Sequence, residues 1–212
     1  MPATLLLLAG EAERPVLAAL LRSVASGLRV MEIARVADLP RDLETLSQAR
    51  LVAFLFSEIV PAEVLEGLGF GAYNIHPGPP EYPGWMPVSF ALYDGAPRFG
   101  ATIHEMAVKV DAGTICDVEN FDVPADATQA SLSELTYAAS LKLFRRWAEV
   151  LAMPPLKLPR LPLKWSGRSC TKRGFAKLAR IAQAASEEEV RRRIQAFGDG
   201  DGFTPPTTAP WT

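Results

Sequence analysis

The chain of 212 residues is long enough for one large domain, because compact domains mostly contain about 100–200 residues. Hydrophobic residues make up 49% of the sequence and charged residues 22%, a balance that excludes a disordered or fibrous chain. The net charge is −2, and the two cysteines have neither disulfide-framework nor metal-ligand spacing. No apolar run reaches the ~20 residues of a membrane-spanning helix, and the short N-terminal run has no basic flank. We therefore expect a cytoplasmic protein without a membrane partner or a bound metal.

Strands and helices are predicted to alternate in the first third of the chain. The apolar runs at residues 4–9 and 51–56 indicate strands buried on both faces, and residues 28–36 alternate as a strand does. Apolar residues at helical spacing predict a helix over residues 14–24, and Pro61 is expected in the first turn of a short helix. This order predicts an α/β fold with a doubly wound sheet.

The first strand-to-helix turn does not have the glycines of a dinucleotide-binding loop. It reads Gly10-Glu11-Ala12-Glu13 and places two carboxylates where a pyrophosphate needs free N–H groups. We therefore expect no nicotinamide or flavin cofactor.

A proline-rich loop follows the next predicted strand. Residues 73–87 read YNIHPGPPEYPGWMP, which is typical of a rigid loop with an accessible backbone. Strands are then predicted at residues 100–106 and 114–118. Thr128 is a good N-cap, and the long helix after it is expected to turn five side chains inward, namely Leu132, Leu135, Ala139, Leu143 and Trp147.

The C-terminal quarter differs from the rest of the chain in composition. Residues 153–165 contain four prolines and predict a linker or an edge segment, which separates a domain at 1–152 from a small helical appendage at 166–212. The second helix of the appendage is expected to start in a capping box at Ser186 and Glu189, and the chain to end in a loose tail. From residue 153 onward there are 11 basic and 5 acidic residues, which could face an anionic substrate or dock on the acidic body.

Asn74 and His76 are the first candidates for chemistry. Residues two apart in an extended segment point to the same side, so the amide and the imidazole can converge on one atom and stabilise a developing oxyanion. A histidine packed among prolines is the alternative. Asp111 could orient His76, raise its pKa and accept a proton, or it could be an ordinary turn aspartate before glycine.

Three separated segments resemble the folate-dependent formyltransferase family, which includes glycinamide ribonucleotide, methionyl-tRNA and sugar-amine formyltransferases and formyltetrahydrofolate hydrolase. They are Tyr73-Asn74-Ile75-His76-Pro77, Gly100-Ala101-Thr102-Ile103-His104 and Val110-Asp111-Ala112-Gly113-Thr114-Ile115. The resemblance covers roughly residues 4–150. It implies a Rossmann-like, mostly parallel sheet with helices on both faces and 10-formyltetrahydrofolate as the formyl donor.

The resemblance also implies roles for individual residues. Asn74, His76 and Asp111 match the catalytic triad of the family, in which the Asn and a protonated His stabilise the oxyanion while the Asp keeps the His charged and helps to move the amine's proton. Two segments match the pteridine pocket, namely Phe56, Ser57, Glu58, Ile59 and Val60, and Val108, Lys109 and Val110. Glu58 could bind the aminopyrimidine edge or face solvent.

The sequence departs from the family in the loop that borders the acceptor. After His-Pro it reads Gly-Pro-Pro from Gly78, where the family usually has Ser-Leu-Leu-Pro, and this version is similar to the formyltransferase-like domain of a hydrogenase maturation factor. Gly78, Trp85 and Arg168 are the candidate acceptor contacts. Trp85 could form an apolar wall or a core aromatic. Arg168, Lys172 and Arg173 could pair with substrate phosphates or begin a solvated basic helix.

The function implied is formyl transfer to the amine of a small molecule, with a nucleotide-linked amino sugar as one candidate. The alternatives are a formyltetrahydrofolate hydrolase and a non-catalytic folate-binding domain. A nucleic-acid partner is not expected, because about 60 residues after the main domain cannot supply the tRNA-binding barrel of the methionyl-tRNA enzymes and the net charge of −2 does not indicate a basic surface. A homodimer is a further hypothesis.

Overall fold

A computed structural model describes residues 3–198 and shows one six-stranded sheet; the tail predicted after them lies outside the described residues. The order across the sheet is β2-β1-β3-β4-β5-β6, and the first four strands are parallel, whereas β5 is antiparallel to both neighbours. The strands are β1 (Thr4–Leu8), β2 (Arg29–Ile33), β3 (Ala49–Phe54), β4 (Ala72–His76), β5 (Arg98–Glu105) and β6 (Ile115–Asp122). The predicted α/β fold with a mostly parallel sheet is confirmed.

Helices cover both faces of this sheet, as predicted. They are α1 (Glu13–Val24), α2 (Leu43–Ser47), α3 (Ala62–Gly67), α4 (Pro87–Asp94), α5 (Gln129–Ala152), α6 (Lys172–Ala179) and α7 (Glu187–Phe197). Because successive strand residues point to opposite faces, Leu5 and Leu7 pack with α1 and α5, while Leu6 and Leu8 pack with α2 and α3. None of the helices within residues 3–198 is long and apolar enough to cross a membrane.

Three local predictions need correction. Pro61 is the N-cap of α3, outside its first turn, because its ψ of 148° is extended. Leu135 is 38% exposed and does not point into the core. The Ser186 side chain accepts from the Glu189 N–H, but the Glu189 carboxylate binds the Tyr93 hydroxyl and Arg193, so only half of the capping box forms.

The proline-rich segment 153–165 lies against the sheet, as the edge-segment interpretation predicts. Leu158 is buried in the core that contains α1 and α5, and its N–H donates to the Tyr73 hydroxyl. The Leu161 N–H donates to the Ile115 carbonyl at the start of β6. Arg50 of β3 also binds this segment. Its fully buried guanidinium donates hydrogen bonds to the Leu156 carbonyl and to carbonyls near the C-terminus of α5.

The C-terminal helices α6 and α7 pack against α4. Phe90, Phe175 and Phe197 form their shared core, with ring centroids 5.0–5.9 Å apart along the contacts of Phe197. Basic side chains after residue 152 pair with acidic side chains before it, for example Arg160 of the proline-rich segment with Glu105. The division into separate domains stays a prediction.

Candidate active site

The pairing of β4 with β5 sets the first two groups of the site. Asn74 and His76 point to one face of β4, as the two-residue spacing predicts, and the register places His104 directly opposite Asn74. Asn74 Nδ2 lies 3.2 Å from His104 Nε2. His104 is therefore part of the site, although the sequence analysis did not single it out; the strand pairing of the two motifs was the signal that would have shown it.

Asp111 joins the two histidines. Its Oδ2 lies 3.2 Å from His76 Nδ1, its Oδ1 lies 3.3 Å from His104 Nε2, and its Oδ2 also accepts from the Gly84 N–H at 2.7 Å. All three side chains of the His76–Asp111–His104 cluster are buried. The structure thus brings together the three residues predicted as a triad and adds His104 to them.

The electrostatics of this cluster differ from the prediction in one respect. Burial opposes the ionisation of Asp111, but His76, His104 and the Gly84 N–H together outweigh it and lower the pKa of Asp111 to about 2. Burial lowers the pKa of His76 as well, against the attraction of Asp111 and the Tyr82 carbonyl. Asp111 raises the pKa of His76, as expected, but the loss of hydration exceeds the attraction of one carboxylate, so the net shift is downward and the ring is not kept charged in the free protein.

The loop after β4 holds the other side of the His76 ring. His76 Nε2 lies 2.9 Å from the Tyr82 carbonyl oxygen. A Cβ on Gly78 would lie 2.7 Å from that nitrogen, so only glycine allows the backbone to pass so close to the ring. Gly78 lies beside His76 and does not line the cleft in front of it.

A cleft of about 430 Å³ opens over Asn74, His76, His104 and Asp111. Most residues predicted for the pteridine pocket line it, and Ile59, Val108 and Val110 present exposed apolar side chains there. The predicted residues on its walls are Phe56, Ser57, Glu58, Ile59, Val60, Val108 and Val110, whereas Lys109 is exposed and lies outside the lining. Glu58 is exposed, and it accepts a hydrogen bond from the Val36 N–H at 3.0 Å.

The C-terminal part contributes Lys172, one of the predicted phosphate contacts, and further residues that sequence reasoning missed, whereas Arg173 does not line the cleft. Residues 169–172 line the cleft beside Trp85, which was predicted as an acceptor contact. Trp165, assigned to the linker, meets the His76 and His104 rings edge-on, with centroids 5.6 and 5.0 Å away. Arg168 does not line the cleft; it pairs with Asp94, so its predicted contact with substrate phosphates has no support in the geometry.

Backbone strain is concentrated around the cleft. Among residues 3–198, the non-glycine residues with positive φ are Leu55 at 50°, Met86 at 53° and Asp111 at 43°. All three line the cleft. Strained backbone of this kind is typical of functional sites, where the surrounding structure holds it in place. Within the same residues, no group of three or more His, Cys, Asp or Glu side chains could hold a metal ion.

Known proteins resemble this chain in sequence and in fold. A methionyl-tRNA formyltransferase from Bacillus mycoides is 30% identical over 122 residues, which are 57% of this chain and 38% of that protein. The chain thus spans less than half the length of the curated relatives it matches.

Two solved structures share the fold over nearly the whole chain. A sugar N-formyltransferase from a Shewanella species superposes with a TM-score of 0.72 and 18% identity, covering 94% of this chain and 90% of that one. An N-formyltransferase from Helicobacter canadensis, solved with folinic acid and dTDP-3-aminofucose, gives a TM-score of 0.68 and 15% identity over 93% and 81% of the two chains. The family model described as formyl transferase matches residues 31–146, more than half of the sequence. The chain therefore belongs to the formyl transferase family.

Proposed function

We propose that this protein transfers the formyl group of 10-formyltetrahydrofolate to the amine of a small molecule. The observation that carries the proposal is the placement of Asn74 and the His76–Asp111–His104 cluster at the floor of one cleft. Membership of the formyl transferase family supports it, as does the Helicobacter canadensis structure, which holds a folate and an amino sugar nucleotide.

The residues of the cleft fit a folate donor. Its volume of about 430 Å³ is in the range of small-molecule sites, and the apolar side chains of Ile59, Val108 and Val110 suit the faces of a pteridine ring. Asn74 Oδ1 is buried and has no hydrogen-bond partner among residues 3–198. An unpaired buried oxygen is unfavourable, so the structure keeps Asn74 at a cost in stability, as is typical of catalytic residues.

The proposed chemistry divides the work among these residues. The bound donor supplies an electrophilic formyl carbon for the amine. Asn74 Nδ2 carries two hydrogens, of which one faces His104 and the second donates to the formyl oxygen as negative charge develops there. Asp111, ionised between two imidazoles, accepts the proton of the attacking amine directly or through a water, and passes it to His76. His76 therefore becomes charged during the reaction, although burial disfavours its charge beforehand. When the tetrahedral intermediate collapses, the bond between the formyl carbon and N10 of the donor breaks. The proton returns from His76 through Asp111 to N10, and tetrahydrofolate leaves.

For the acceptor we propose an amine that carries an anionic group, with a nucleotide-linked amino sugar as the candidate. Lys172 lines the cleft, is exposed and has no ion pair among the described residues. Its Nζ lies 5.8 Å from the centroid of the Trp85 ring. A cation beside an aromatic wall suits a phosphate attached to a planar group.

Calorimetric titration with a stable 10-formylfolate analogue tests the donor first. We expect the wild type to bind the analogue with micromolar affinity and Asp111→Ala to bind it more weakly. Asp126→Ala, which removes an exposed loop carboxylate, is the control and should bind like the wild type. Absence of binding to the wild type would contradict the proposal.

Turnover then separates the two reactions that these residues could catalyse. Tetrahydrofolate release is measured with a panel of amino sugar nucleotides and without any amine. Release that requires an amine supports the transferase, whereas formate released at the same rate in water alone identifies a hydrolase and overturns the transfer proposal.

A further inference from the structure

Residues 165–170, which we name the strap, lie across the loop that follows β4. The Ser166 N–H donates to the Pro80 carbonyl at 2.9 Å, and the Cys170 N–H donates to the Pro83 carbonyl at 2.8 Å. The Trp85 N–H donates back to the Cys170 carbonyl at 2.7 Å. The strap and the loop are thus joined by backbone hydrogen bonds at both ends.

This loop supplies the backbone groups that orient the cluster. The Tyr82 carbonyl faces His76 Nε2 at 2.9 Å, and the Gly84 N–H donates to Asp111 Oδ2 at 2.7 Å. At Gly84 the strap is so close that a Cβ would lie 2.2 Å from the Cys170 carbonyl oxygen. Displacement of the loop would therefore change the orientation of both His76 and Asp111.

Arg168 fixes Tyr82 from two directions. Its guanidinium carbon lies 5.3 Å from the centroid of the Tyr82 ring and 5.4 Å from that of Phe90. The same guanidinium pairs with Asp94, whose Oδ2 accepts the Tyr82 hydroxyl at 3.0 Å. The Tyr82 side chain is thus held at its face and at its hydroxyl, which leaves its carbonyl little freedom to move.

We propose that Arg168 is a positioning residue that holds the His76 ring through Tyr82 and Asp94, without contacting substrate. The proposal rests on the proposed function only for its kinetic consequence.

Trp165 lies at the other end of the strap, where its indole N–H donates to the Gly113 carbonyl at 2.8 Å. Its edge-on contacts with His76 and His104 close the side of the cluster that the strap covers.

Kinetics of Arg168→Met, Arg168→Lys and Tyr82→Phe test this role. A misplaced catalytic group can lower a rate by up to about 100-fold, so we expect kcat to fall about 10-fold in Arg168→Met and Tyr82→Phe with KM for donor and acceptor nearly unchanged. Arg168→Lys keeps the charge for Asp94 and should recover part of the loss. Arg146→Met is the matched control, because Arg146 also pairs with carboxylates, but these are Asp117 and Glu119 of β6 and not Asp94, which binds the Tyr82 hydroxyl.

A second readout needs no turnover. The chain contains two histidines, so the imidazole nitrogen signals of the ¹⁵N-labelled protein can be assigned by comparison with His104→Asn. We expect the His76 Nε2 signal to move in Arg168→Met and Tyr82→Phe and to stay in place in Arg146→Met.

The outcomes distinguish the two proposals. Unchanged His76 signals in Arg168→Met would overturn the positioning role, and so would a raised acceptor KM with normal kcat, which would indicate that Arg168 binds substrate. If the wild type formylates no amine but the His76 signal moves in Arg168→Met, the positioning role stands and the proposed function fails.

Discussion

The two halves of the sheet use their buried faces differently. Strands β1 and β3 bury mainly apolar side chains on both faces, as Leu7 and Leu8 do, and most of these side chains belong to the core. Strands β4 and β5 bury Ile75 and Ile103 against α5 but carry Asn74 and His104 on the opposite face. Substitutions in the first half of the sheet should therefore lower the free energy of unfolding, whereas substitutions on the polar face of the second half should lower the rate of the reaction.

The largest effect is expected at Phe54 on the apolar side. Its ring is fully buried and meets Phe144 and Tyr137 edge-on, with centroids 5.8 and 6.1 Å away. Phe54→Ala should lower the free energy of unfolding by about 3–5 kcal/mol through lost burial and a new cavity, as measured by urea denaturation. Val16→Ala, at a side chain that is 68% exposed, is the control and should change it by less than about 0.5 kcal/mol. If Phe54→Ala lowers the free energy of unfolding no more than Val16→Ala does, the first half of the sheet does not have the structural role assigned to it.

On the polar face, Asn74→Ala should lower the reaction rate strongly and the free energy of unfolding only slightly. Removal of one donor to a developing oxyanion lowers a rate by about 10²–10³-fold, so we expect kcat to fall by that factor. Stability should change little, because Asn74 is only half-buried and its Oδ1 has no partner among the described residues. Asn120→Ala, at the exposed end of β6, controls for loss of an amide. Near-normal turnover in Asn74→Ala would remove this residue from the mechanism.

A smaller effect should appear in the pH dependence of stability. The pKa of His76 is lowered on folding, so the unfolded chain binds a proton first as the pH falls below about 6.5, and the free energy of unfolding decreases there. The pKa of Asp111 is lowered from 3.8 to about 2, so a further loss follows as the pH falls through that interval.

Urea titrations between pH 8 and pH 2 would measure both losses. His76→Gln should lack the first one, since it has no titrating ring at this position. A wild-type stability that stays constant or rises between pH 7 and pH 5 would contradict the direction assigned to His76.

The sequence predicts those parts of the site that depend on local spacing. The burial of β1 and β3 follows from their continuous apolar runs, and the common side of Asn74 and His76 follows from the two-residue period of a strand. His104 could be placed only with the β4–β5 register, which joins residues 30 positions apart. Trp165 lies in a proline-rich segment, and prolines do not indicate which part of the protein such a segment packs against.

The direction of the His76 pKa was also beyond reach of the sequence. A carboxylate partner can be inferred from a motif, but the loss of hydration depends on everything that surrounds the ring, including the Tyr82 loop and Trp165. The motif therefore identifies Asp111 as the partner of His76, but it does not show whether burial or the carboxylate has the larger effect on the pKa of His76.

The positive φ angles of Leu55 and Met86 have a consequence for how this protein responds to selection. A non-glycine residue in this region costs about 1–3 kcal/mol, which glycine would largely avoid. At Leu55, glycine would also remove a side chain that is 2% exposed and packs in the core, a loss of about 2–5 kcal/mol. A library screened for heat resistance alone should therefore acquire glycine at the half-buried Met86 and keep Leu55. One screened for turnover should retain the side chains, because they form the walls of the cleft.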